Sequence, residues 1–506
     1  MWRHAPRADD GPVTDIITGL QMSPLELLAL LGTLALVTAR WLPPAARPPV
    51  TIAAGSAVVL SAIVLGVLGI RWQLLPVLAA AALALPFALA PLIRRLVRRR
   101  IGSRPARRAR WWVALPGTVV CVALAASGPA AAWAFPVPVF PEPTGRFAVG
   151  TRVLQWTDPD RPETATPDPG DRRMVVVQLW YPARQSPAGT RRAQYLGRTE
   201  PEARTVAEGL ARYVGLPGFL LDGAPRARGR AVPDAPVADG GERFPVVLFS
   251  PGLGGVRTQN TAWAEELASN GYVVAALDHP YDSATVVLAD GRTVGTAVTS
   301  TGDDEEDNAR AAETARIRAA DLSFILSQLV RLDRAGGDGP LAGRLETDRA
   351  AVTGHSLGGA AALQAARQDH RFAVVVDLDG YPRDPERLPL PQPVLALTQA
   401  IGPGTDPRYL PRLTEVLKLS TSAGYRLTVP GAAHLTFTDA PLYLPPVPSL
   451  VGSLGRTEST RVVAAATLAF LGATLRHGPG DPAAGDVSRD LASYGELTVH
   501  RSADNH

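Results

Sequence analysis

A short apolar strand, a Gly-x-Ser-x-Gly turn and an alanine-rich helix follow one another over residues 350–363. The glycines at positions 354 and 358 permit a sharp turn, because a side chain on either side of Ser356 would collide with neighbouring backbone. In this context the motif holds a nucleophilic serine with its hydroxyl exposed. The segment therefore predicts an α/β fold in which Ser356 is the nucleophile, and an ordinary tight turn is the alternative interpretation.

A nucleophilic serine needs a base, and His434 is the histidine whose position fits that role. It follows the apolar run 425–429 and a short Pro-Gly-Ala-Ala segment, so it occupies a loop at the C-terminal end of a predicted strand. Open α/β sheets bind their ligands at that end of the strands. The other histidines after the serine lie in a charged link or in the polar tail: His370, His477, His500 and His506. We therefore predict that His434 is the base; a surface-loop histidine is the alternative.

The acid that orients the base has two candidates, Asp379 and Asp406. Asp379 lies just beyond the apolar strand predicted at 372–376, whereas Asp406 lies beyond the next strand at 393–398. In either case the carboxylate holds the tautomer of the histidine and offsets the imidazolium charge while staying ionised. We take Asp379 as the acid and keep Asp406 as the alternative, because many folds of this class carry the acid one strand later.

The oxyanion of an acyl-transfer reaction needs two backbone N–H donors. One is expected from Leu357, the residue after the nucleophile. The other is expected from Leu253, in the glycine-rich loop that follows the apolar run 244–250. The alternative for this second segment is a glycine-rich turn that serves only to reverse the chain.

These motifs together resemble the platelet-activating-factor acetylhydrolase type of α/β-hydrolase, whose relatives include bacterial lipases and polyester hydrolases. The resemblance extends from about Val149 to Leu475 and is carried by segments 249–254 and 267–279, the serine turn, segment 377–380 and His434. It implies a mostly parallel central sheet flanked by helices, and it favours Asp379 over Asp406 as the acid. One departure is Pro251, which stands where this family usually has histidine. The resemblance also implies short or oxidised acyl chains on phospholipids as substrates.

The first third of the chain contains four apolar blocks, each near the roughly 20 residues that a helix needs to cross a bilayer. The blocks are residues 25–42, 50–70, 74–93 and 111–134. Serial blocks almost free of charge, separated by short Arg- or Pro-bearing links, favour membrane spans over buried core helices. We predict an all-α transmembrane region of four helices over residues 1–135.

The distribution of arginine predicts how these spans are oriented. Arginines crowd the loop between the third and fourth blocks: Arg94, Arg95, Arg98, Arg99, Arg100, Arg104, Arg107, Arg108 and Arg110. The positive-inside rule places this loop in the cytoplasm and the catalytic region outside the cell. A nucleic-acid patch is the alternative interpretation of the basic run, but its position between two apolar spans favours anchoring and contact with anionic lipid. The fourth block also resembles a signal peptide, so cleavage after Ala132 is a further alternative.

The composition of successive segments predicts the boundaries of the remaining regions. A proline-rich linker covers residues 136–145, the hydrolase domain covers 146–476, and the tail 477–506 is predicted to be disordered. Residues 191–241 form an insertion with an amphipathic piece around 203–214. The acidic run 303–307 lacks the spacing of a calcium loop and is expected to begin a helix. Cys121 is the only cysteine, which excludes internal disulfides and cysteine catalysis, and the abundance of Ala, Gly, Pro and Arg suggests a bacterial source.

The sequence thus predicts a membrane-anchored, extracytoplasmic serine hydrolase that cleaves carboxylic esters through an acyl-enzyme. Its expected partners are the lipid bilayer and a small-molecule or lipid ester, without nucleic acid, metal or cofactor, and the sequence favours no particular oligomeric state. An acyltransferase that uses the same triad, or a non-catalytic membrane sensor, is the alternative function.

Overall fold

The computed structural model describes residues 19, 21–101, 111–298, 301–335, 341–383, 389–402, 405–476 and 486–500. The chain divides into two units, Met1–Val137 and Pro138–His506. The division falls inside the proline-rich segment that we expected to be a linker.

The first unit contains four long helices, α1 (Pro24–Thr38), α2 (Arg47–Leu68), α3 (Leu75–Ile101) and α4 (Trp111–Ala134). Helix α1 begins with a capping box, in which the Ser23 hydroxyl and the Glu26 carboxylate each bind the backbone N–H of the other residue. Such a cap satisfies N–H groups that would otherwise lack acceptors.

Four segments in the described part of the chain are long and apolar enough to cross a membrane, by length and composition. They are Pro24–Trp41, Arg47–Leu68, Trp72–Ala90 and Ala114–Ala134. These segments overlap the four predicted blocks. The third helix continues beyond its apolar part to Ile101, since the arginine-rich sequence that follows has good helix propensity.

The second unit is built on a ten-stranded sheet with the strand order β12-β11-β10-β9-β8-β4-β5-β2-β1-β3. The six central strands run parallel to one another: β11, β10, β9, β8, β4 and β5. Strands β1, β2 and β12 run antiparallel to a neighbour. Strands β6 and β7 form a separate two-stranded sheet. The strands are β1 (Ala148–Pro162), β2 (Arg172–Ala183), β3 (Val232–Pro233), β4 (Phe244–Ser250), β5 (Val273–Asp278), β6 (Thr285–Val287), β7 (Thr293–Gly295), β8 (Leu345–His355), β9 (Phe372–Leu378), β10 (Val394–Thr398), β11 (Gly424–Thr428) and β12 (Glu496–His500).

Helices cover both faces of this sheet. They are α5 (Glu200–Tyr213), α6 (Thr261–Ser269), α7 (Asp304–Arg334), α8 (Leu357–Gln368), α9 (Tyr409–Leu419), α10 (Pro448–Val451), α11 (Arg456–Leu471) and α12 (Val487–Ala492). Alternate residues of one strand enter opposite cores: Val246 and Leu248 pack with α7 and α8, whereas Val247 and Phe249 pack with α6 and α11. Burial on both faces explains the continuous apolar runs of these strands. The prediction of a mostly parallel sheet flanked by helices is confirmed.

The acidic run at 303–307 begins a helix, as expected. Asp303 is the N-cap of α7, and its carboxylate accepts the N–H groups of Glu305 and Glu306, both at 2.9 Å. Acidic side chains are favoured in this first turn because the N-terminal end of a helix carries partial positive charge.

The segment after residue 485 differs from the disordered tail that we predicted. Residues Val487–Ala492 form α12, and β12 pairs antiparallel with β11 along five registered positions from Gly424–His500 to Thr428–Glu496. Without β12, β11 would expose a row of unpaired N–H and C=O groups at the edge of the sheet. Leu491 is fully buried against the core, so the tail adds apolar contacts as well as hydrogen bonds. Residues 477–485 and 501–506 lie outside the described residues.

The predicted insertion at 191–241 is held to the domain by a buried carboxylate. Glu265 on α6 accepts the N–H groups of Arg230 at 2.7 Å and Ala231 at 2.9 Å. Burial raises the pKa of Glu265 to about 7, although these two hydrogen bonds oppose the shift. The carboxyl is therefore neutral in the folded protein at mildly acidic pH.

This raised pKa predicts a pH-dependent loss of stability. Between about pH 4.3, the ordinary glutamate value, and the folded value of about 7, the unfolded chain is ionised at Glu265 while the folded protein keeps its proton. The unfolded state then binds fewer protons, so the free energy of unfolding falls as pH rises through this window. Above the window Glu265 is ionised in both states and causes no further change. Relative to Glu265→Gln, we expect wild-type thermal stability to decrease from pH 5 to 7. Glu208→Gln, at an exposed position, is the control; an equal pH response in both variants would contradict the assignment.

Candidate active site

The serine turn lies between β8 and α8, in the middle of the parallel sheet. Ser356 has φ 55° and ψ −119°, a left-handed conformation that is costly for a residue with a side chain. The chain is tightly packed on both sides of it. A Cβ atom on Gly354 would lie 2.1 Å from the Gly358 carbonyl oxygen, and one on Gly358 would lie 2.0 Å from the Ser250 carbonyl oxygen. Glycine at both positions is therefore required by the close approach of backbone.

Replacing Gly358 by alanine should destabilise the protein by roughly 1–3 kcal/mol or more, the usual cost of overpacking, because the atoms that a Cβ would meet belong to backbone. Gly472→Ala is a matched control, since Gly472 has negative φ and open space around a built Cβ. Thermal unfolding of the two variants measures the difference. Equal melting temperatures would show that the turn relaxes without cost.

The predicted base and acid are in direct contact. His434 Nδ1 lies 2.6 Å from Asp379 Oδ2. The His434 side chain is 44% exposed, whereas the Asp379 side chain is fully buried. The histidine opens a short 3-10 turn after β11, and the aspartate directly follows β9 with φ 57°. Both thus stand at the C-terminal edge of the sheet, where the ligand site was expected.

Three further donors surround the Asp379 carboxylate. Oδ1 accepts the backbone N–H of Gln399 at 2.8 Å and the hydroxyl of Tyr409 at 2.7 Å. Oδ2 accepts the Gln399 amide at 3.0 Å in addition to His434. Burial, with the nearby carboxylate of Asp379, raises the pKa of Tyr409 well above its usual range, so its hydroxyl stays protonated. The carboxylate is held in one orientation.

The alternative acid, Asp406, has other partners. It accepts hydrogen bonds from the Tyr381 hydroxyl at 2.5 Å and from Arg408 Nε at 3.0 Å. Although burial alone would raise it, these hydrogen bonds lower the pKa of Asp406. Among the described residues, no hydrogen bond joins Asp406 to His434. The structure thus pairs the histidine with the first candidate and not with the second.

Ser356, the predicted nucleophile, lies beside this pair. The Ser356 N–H donates to the carbonyl of Leu378, the residue before Asp379, at 2.9 Å. Within the described ranges no hydrogen bond runs from the Ser356 hydroxyl to His434. In acyl-transfer sites this bond often tightens only when the substrate is bound.

The two predicted oxyanion donors flank the serine. Leu357 is the first residue of α8, where N–H groups have no intrahelical acceptor. On the other side, a Cβ built on Gly252 would lie 3.6 Å from Ser356 Cβ, so the loop after β4 reaches Ser356. Leu253 is 39% exposed. Both backbone segments therefore lie next to Ser356.

A buried arginine orients the loop after β4. Arg318 of α7 is fully buried and binds both carboxylate oxygens of Asp282, at 2.5 and 2.6 Å. Its guanidinium also donates to the carbonyl oxygens of Gly252, at 3.1 Å, and Pro251. In a trans peptide the C=O and N–H groups point in opposite directions. Since the Gly252 oxygen faces Arg318, the N–H of Leu253 points away from the arginine.

Three residues that surround the site, Arg318, Gln399 and Tyr409, were not predicted from the sequence. Arg318 lies in the helix that was expected to begin at the acidic run 303–307, and its partner Asp282 lies 36 residues away in sequence. Gln399 directly follows β10, so it shares the sheet edge with Asp379. That position was the one available indication, because residues just beyond neighbouring parallel strands meet at the same edge.

Comparison with known proteins agrees with this architecture. The sequence model of the family described as platelet-activating factor acetylhydrolase, isoform II, matches residues 135–479. A platelet-activating factor acetylhydrolase of Canis lupus familiaris is 32% identical over 160 residues, covering 28% of this chain and 36% of the relative. A probable 1-alkyl-2-acetylglycerophosphocholine esterase of Arthroderma benhamiae is 27% identical over 286 residues, covering 52% of this chain and 64% of the relative.

The chain thus covers less than two thirds of the length of both curated relatives. A solved ferulic acid esterase from Streptomyces cinnamoneus is similar in structure, with a TM-score of 0.55 and 29% identity, over 71% of this chain and 98% of that chain. The family match spans well over half of the chain and contains the serine turn, the Asp379–His434 pair and both flanking backbone segments. The chain therefore belongs to the platelet-activating factor acetylhydrolase isoform II family, with an α/β-hydrolase fold.

Proposed function

We propose that this protein is a carboxylic ester hydrolase in which Ser356, His434 and Asp379 form a catalytic triad. The observation that carries the proposal is the 2.6 Å contact between His434 Nδ1 and the buried Asp379 carboxylate, next to a serine on a strained strand-to-helix turn. The esterase names of the relatives and the structural neighbour support the same reaction class.

In the proposed reaction, the Ser356 hydroxyl oxygen attacks the ester carbonyl while His434 Nε2 takes the hydroxyl proton. Asp379 stays ionised and offsets the charge of the imidazolium. The N–H groups of Leu253 and Leu357 stabilise the tetrahedral oxyanion. When the intermediate collapses, the ester C–O bond breaks and the leaving alcohol takes the proton from His434. Water then attacks the acyl-enzyme by the same route, which releases the acid and restores the serine.

A lipid ester with a short acyl chain is the proposed substrate class. Family membership supports it, and so does the surface beside the oxyanion loop. A Cβ on Gly254 would lie 2.3 Å from the ring of Tyr213, so the end of α5 packs on this loop. The residues that follow include exposed apolar side chains, among them Val214 and Phe219, which are 58% and 52% exposed. An apolar rim of this kind suits a substrate that carries a hydrocarbon chain.

We further propose that the four helices of the first unit anchor the protein in a bacterial cell membrane, with the hydrolase unit outside the cytoplasm. The apolar segments have the required length, and the arginine-rich sequence between the third and fourth of these segments supports the orientation. Cysteine labelling in intact cells tests it. In a Cys121→Ser background, Ala165→Cys should react with a membrane-impermeant maleimide, while Ser103→Cys should react only after lysis. The reverse pattern would overturn the orientation.

Activity is tested with the full chain purified in detergent. We expect labelling by a fluorophosphonate probe and hydrolysis of p-nitrophenyl esters that is fastest for short acyl chains. Folded protein that neither labels nor hydrolyses any ester would overturn the proposal and favour a membrane sensor. Ester consumption that requires an added alcohol, with transfer of the acyl group to it, would indicate an acyltransferase instead.

A further inference from the structure

One side chain next to the proposed triad contacts the loop after β4 and is linked through His355 to the loop that carries His434. Gln259 lies at the end of the loop after β4, just before α6. Its Oε1 accepts the backbone N–H of Gly252 at 3.2 Å, and its Nε2 lies 3.0 Å from His355 Nδ1. The His355 Nε2 atom in turn lies 3.0 Å from the carbonyl oxygen of His434. A chain of hydrogen bonds therefore runs from the oxyanion loop to the base.

The donor and acceptor roles in this chain follow from its first member. A backbone N–H can only donate, so the Gln259 atom that faces Gly252 must be the amide oxygen. The NH₂ group then faces His355, whose Nδ1 must be an acceptor without a proton. The ring proton is thus on His355 Nε2, where it is donated to the His434 carbonyl. The glutamine amide and the His434 carbonyl therefore require the same tautomer of this histidine.

The neutral state of His355 matters because its ring lies against the base. The two imidazole rings have centroids 4.6 Å apart at an interplanar angle of 39°. Burial, and secondarily the proximity of His434, lowers the pKa of His355 well below its usual range. A charged His355 would oppose the imidazolium that the proposed mechanism forms on His434. A neutral ring can support that histidine without such repulsion.

We propose that Gln259 is a positioning residue. It holds the loop after β4, which carries Leu253, in a fixed position relative to the loop that carries His434. This inference rests on the proposed function. The amide oxygen binds the N–H of Gly252, the residue before the proposed donor Leu253. The amide nitrogen acts through His355 on the backbone of His434. Because the oxyanion donors and the base serve the same transition state, their mutual placement affects the rate more than substrate binding.

Gln259→Leu removes the hydrogen bonds to Gly252 and His355 while keeping a side chain of similar size. For the full chain in detergent acting on p-nitrophenyl acetate, we expect kcat to fall about 10- to 100-fold, the effect of losing one or two hydrogen bonds. The KM should stay within about twofold, because this side chain contacts the loops and not the substrate. A merely structural residue would change the amount of folded protein without this separation of kcat from KM.

Gln259→Glu tests the two hydrogen bonds separately. The carboxylate still accepts the Gly252 N–H, but it draws a proton to His355 Nδ1 and favours a charged ring beside His434. We expect the acid limb of the pH–kcat profile to lie at lower pH in this variant than in the wild type, because a charged ring beside His434 opposes protonation of the resting base. The same repulsion opposes the imidazolium of the transition state, so the maximal kcat should fall as well. An unchanged profile would contradict the role assigned to His355.

Gln392→Leu is the matched control. Gln392 is also buried, and its amide donates to the carbonyl oxygens of Ala366 and Phe372 at 2.7 and 3.0 Å, at the opposite end of the sheet. We expect lower thermal stability but unchanged kcat and KM for its folded fraction. Wild-type kcat in Gln259→Leu, or an equal kcat loss in Gln392→Leu, would overturn the inference alone. An inactive wild type would overturn the proposed function together with it.

Discussion

Replacing Ser356 with alanine is expected to lower kcat for ester hydrolysis by about 10⁶-fold, as found when the nucleophile of a triad is removed. The proposed acyl-enzyme cannot form without the hydroxyl, so only the effects of binding and of the oxyanion donors remain. Labelling by a fluorophosphonate should disappear as well. The measurements are p-nitrophenyl acetate turnover and gel detection of the labelled full chain.

Ser453→Ala is the control for this variant. Ser453 is an exposed serine, and its N–H donates to the carbonyl of Gly431, in the loop that leads to His434. It should keep full activity and labelling, and both alanine variants should melt near the wild-type temperature. Retention of labelling in Ser356→Ala would mean that another residue is the nucleophile, and the triad would have to be abandoned.

The second large effect is expected for Asp379→Asn, with a fall in kcat of about 10⁴-fold. The surrounding hydrogen bonds determine how the new amide would sit. Oδ1 accepts the backbone N–H of Gln399 and the hydroxyl of Tyr409, so the amide oxygen must take that position. The NH₂ group then faces His434 Nδ1 and forces it to be an acceptor. The ring proton moves to Nε2, where the base needs a free lone pair.

Asp406→Asn is the comparison that separates the two candidate acids. Its carboxylate is bound to Tyr381 and Arg408, so its neutralisation should change kcat by less than about threefold. A loss of activity in Asp406→Asn together with retention in Asp379→Asn would reverse the assignment. Steady-state kinetics of both variants on one ester series is sufficient.

The features predicted well from sequence are those that local chemistry determines. The serine turn combines an apolar strand, glycines that close backbone contacts require, and an alanine-rich helix. The pairing of Asp379 with His434 spans 55 residues, yet it was predictable in outline because both residues directly follow strands of a parallel sheet. Residues at the C-terminal ends of such strands meet at one edge.

The features that were missed depend on distant partners. Strand β12 is only five residues long, and it is ordered because β11 offers an open edge, which the tail sequence itself does not reveal. Arg318 is buried because Asp282 and two loop carbonyls neutralise and bind it; by composition alone an arginine in a helix with alternating charges indicates an exposed position. The hydroxyl of Tyr409 acquires its role only because the fold brings the first residue of α9 against Asp379, 30 residues away in sequence.

Two of the proposed catalytic residues, Ser356 and Asp379, have φ angles of 55° and 57°. For residues other than glycine, each such conformation costs of order 1 kcal/mol or more. Glycine would relieve that cost at Ser356, whereas at Asp379 it would also leave the buried donors of Tyr409 and Gln399 without their acceptor. Selection of random variants for heat resistance alone would thus tend to enrich inactive proteins altered at Ser356, whereas selection for turnover would retain the serine at the expense of melting temperature.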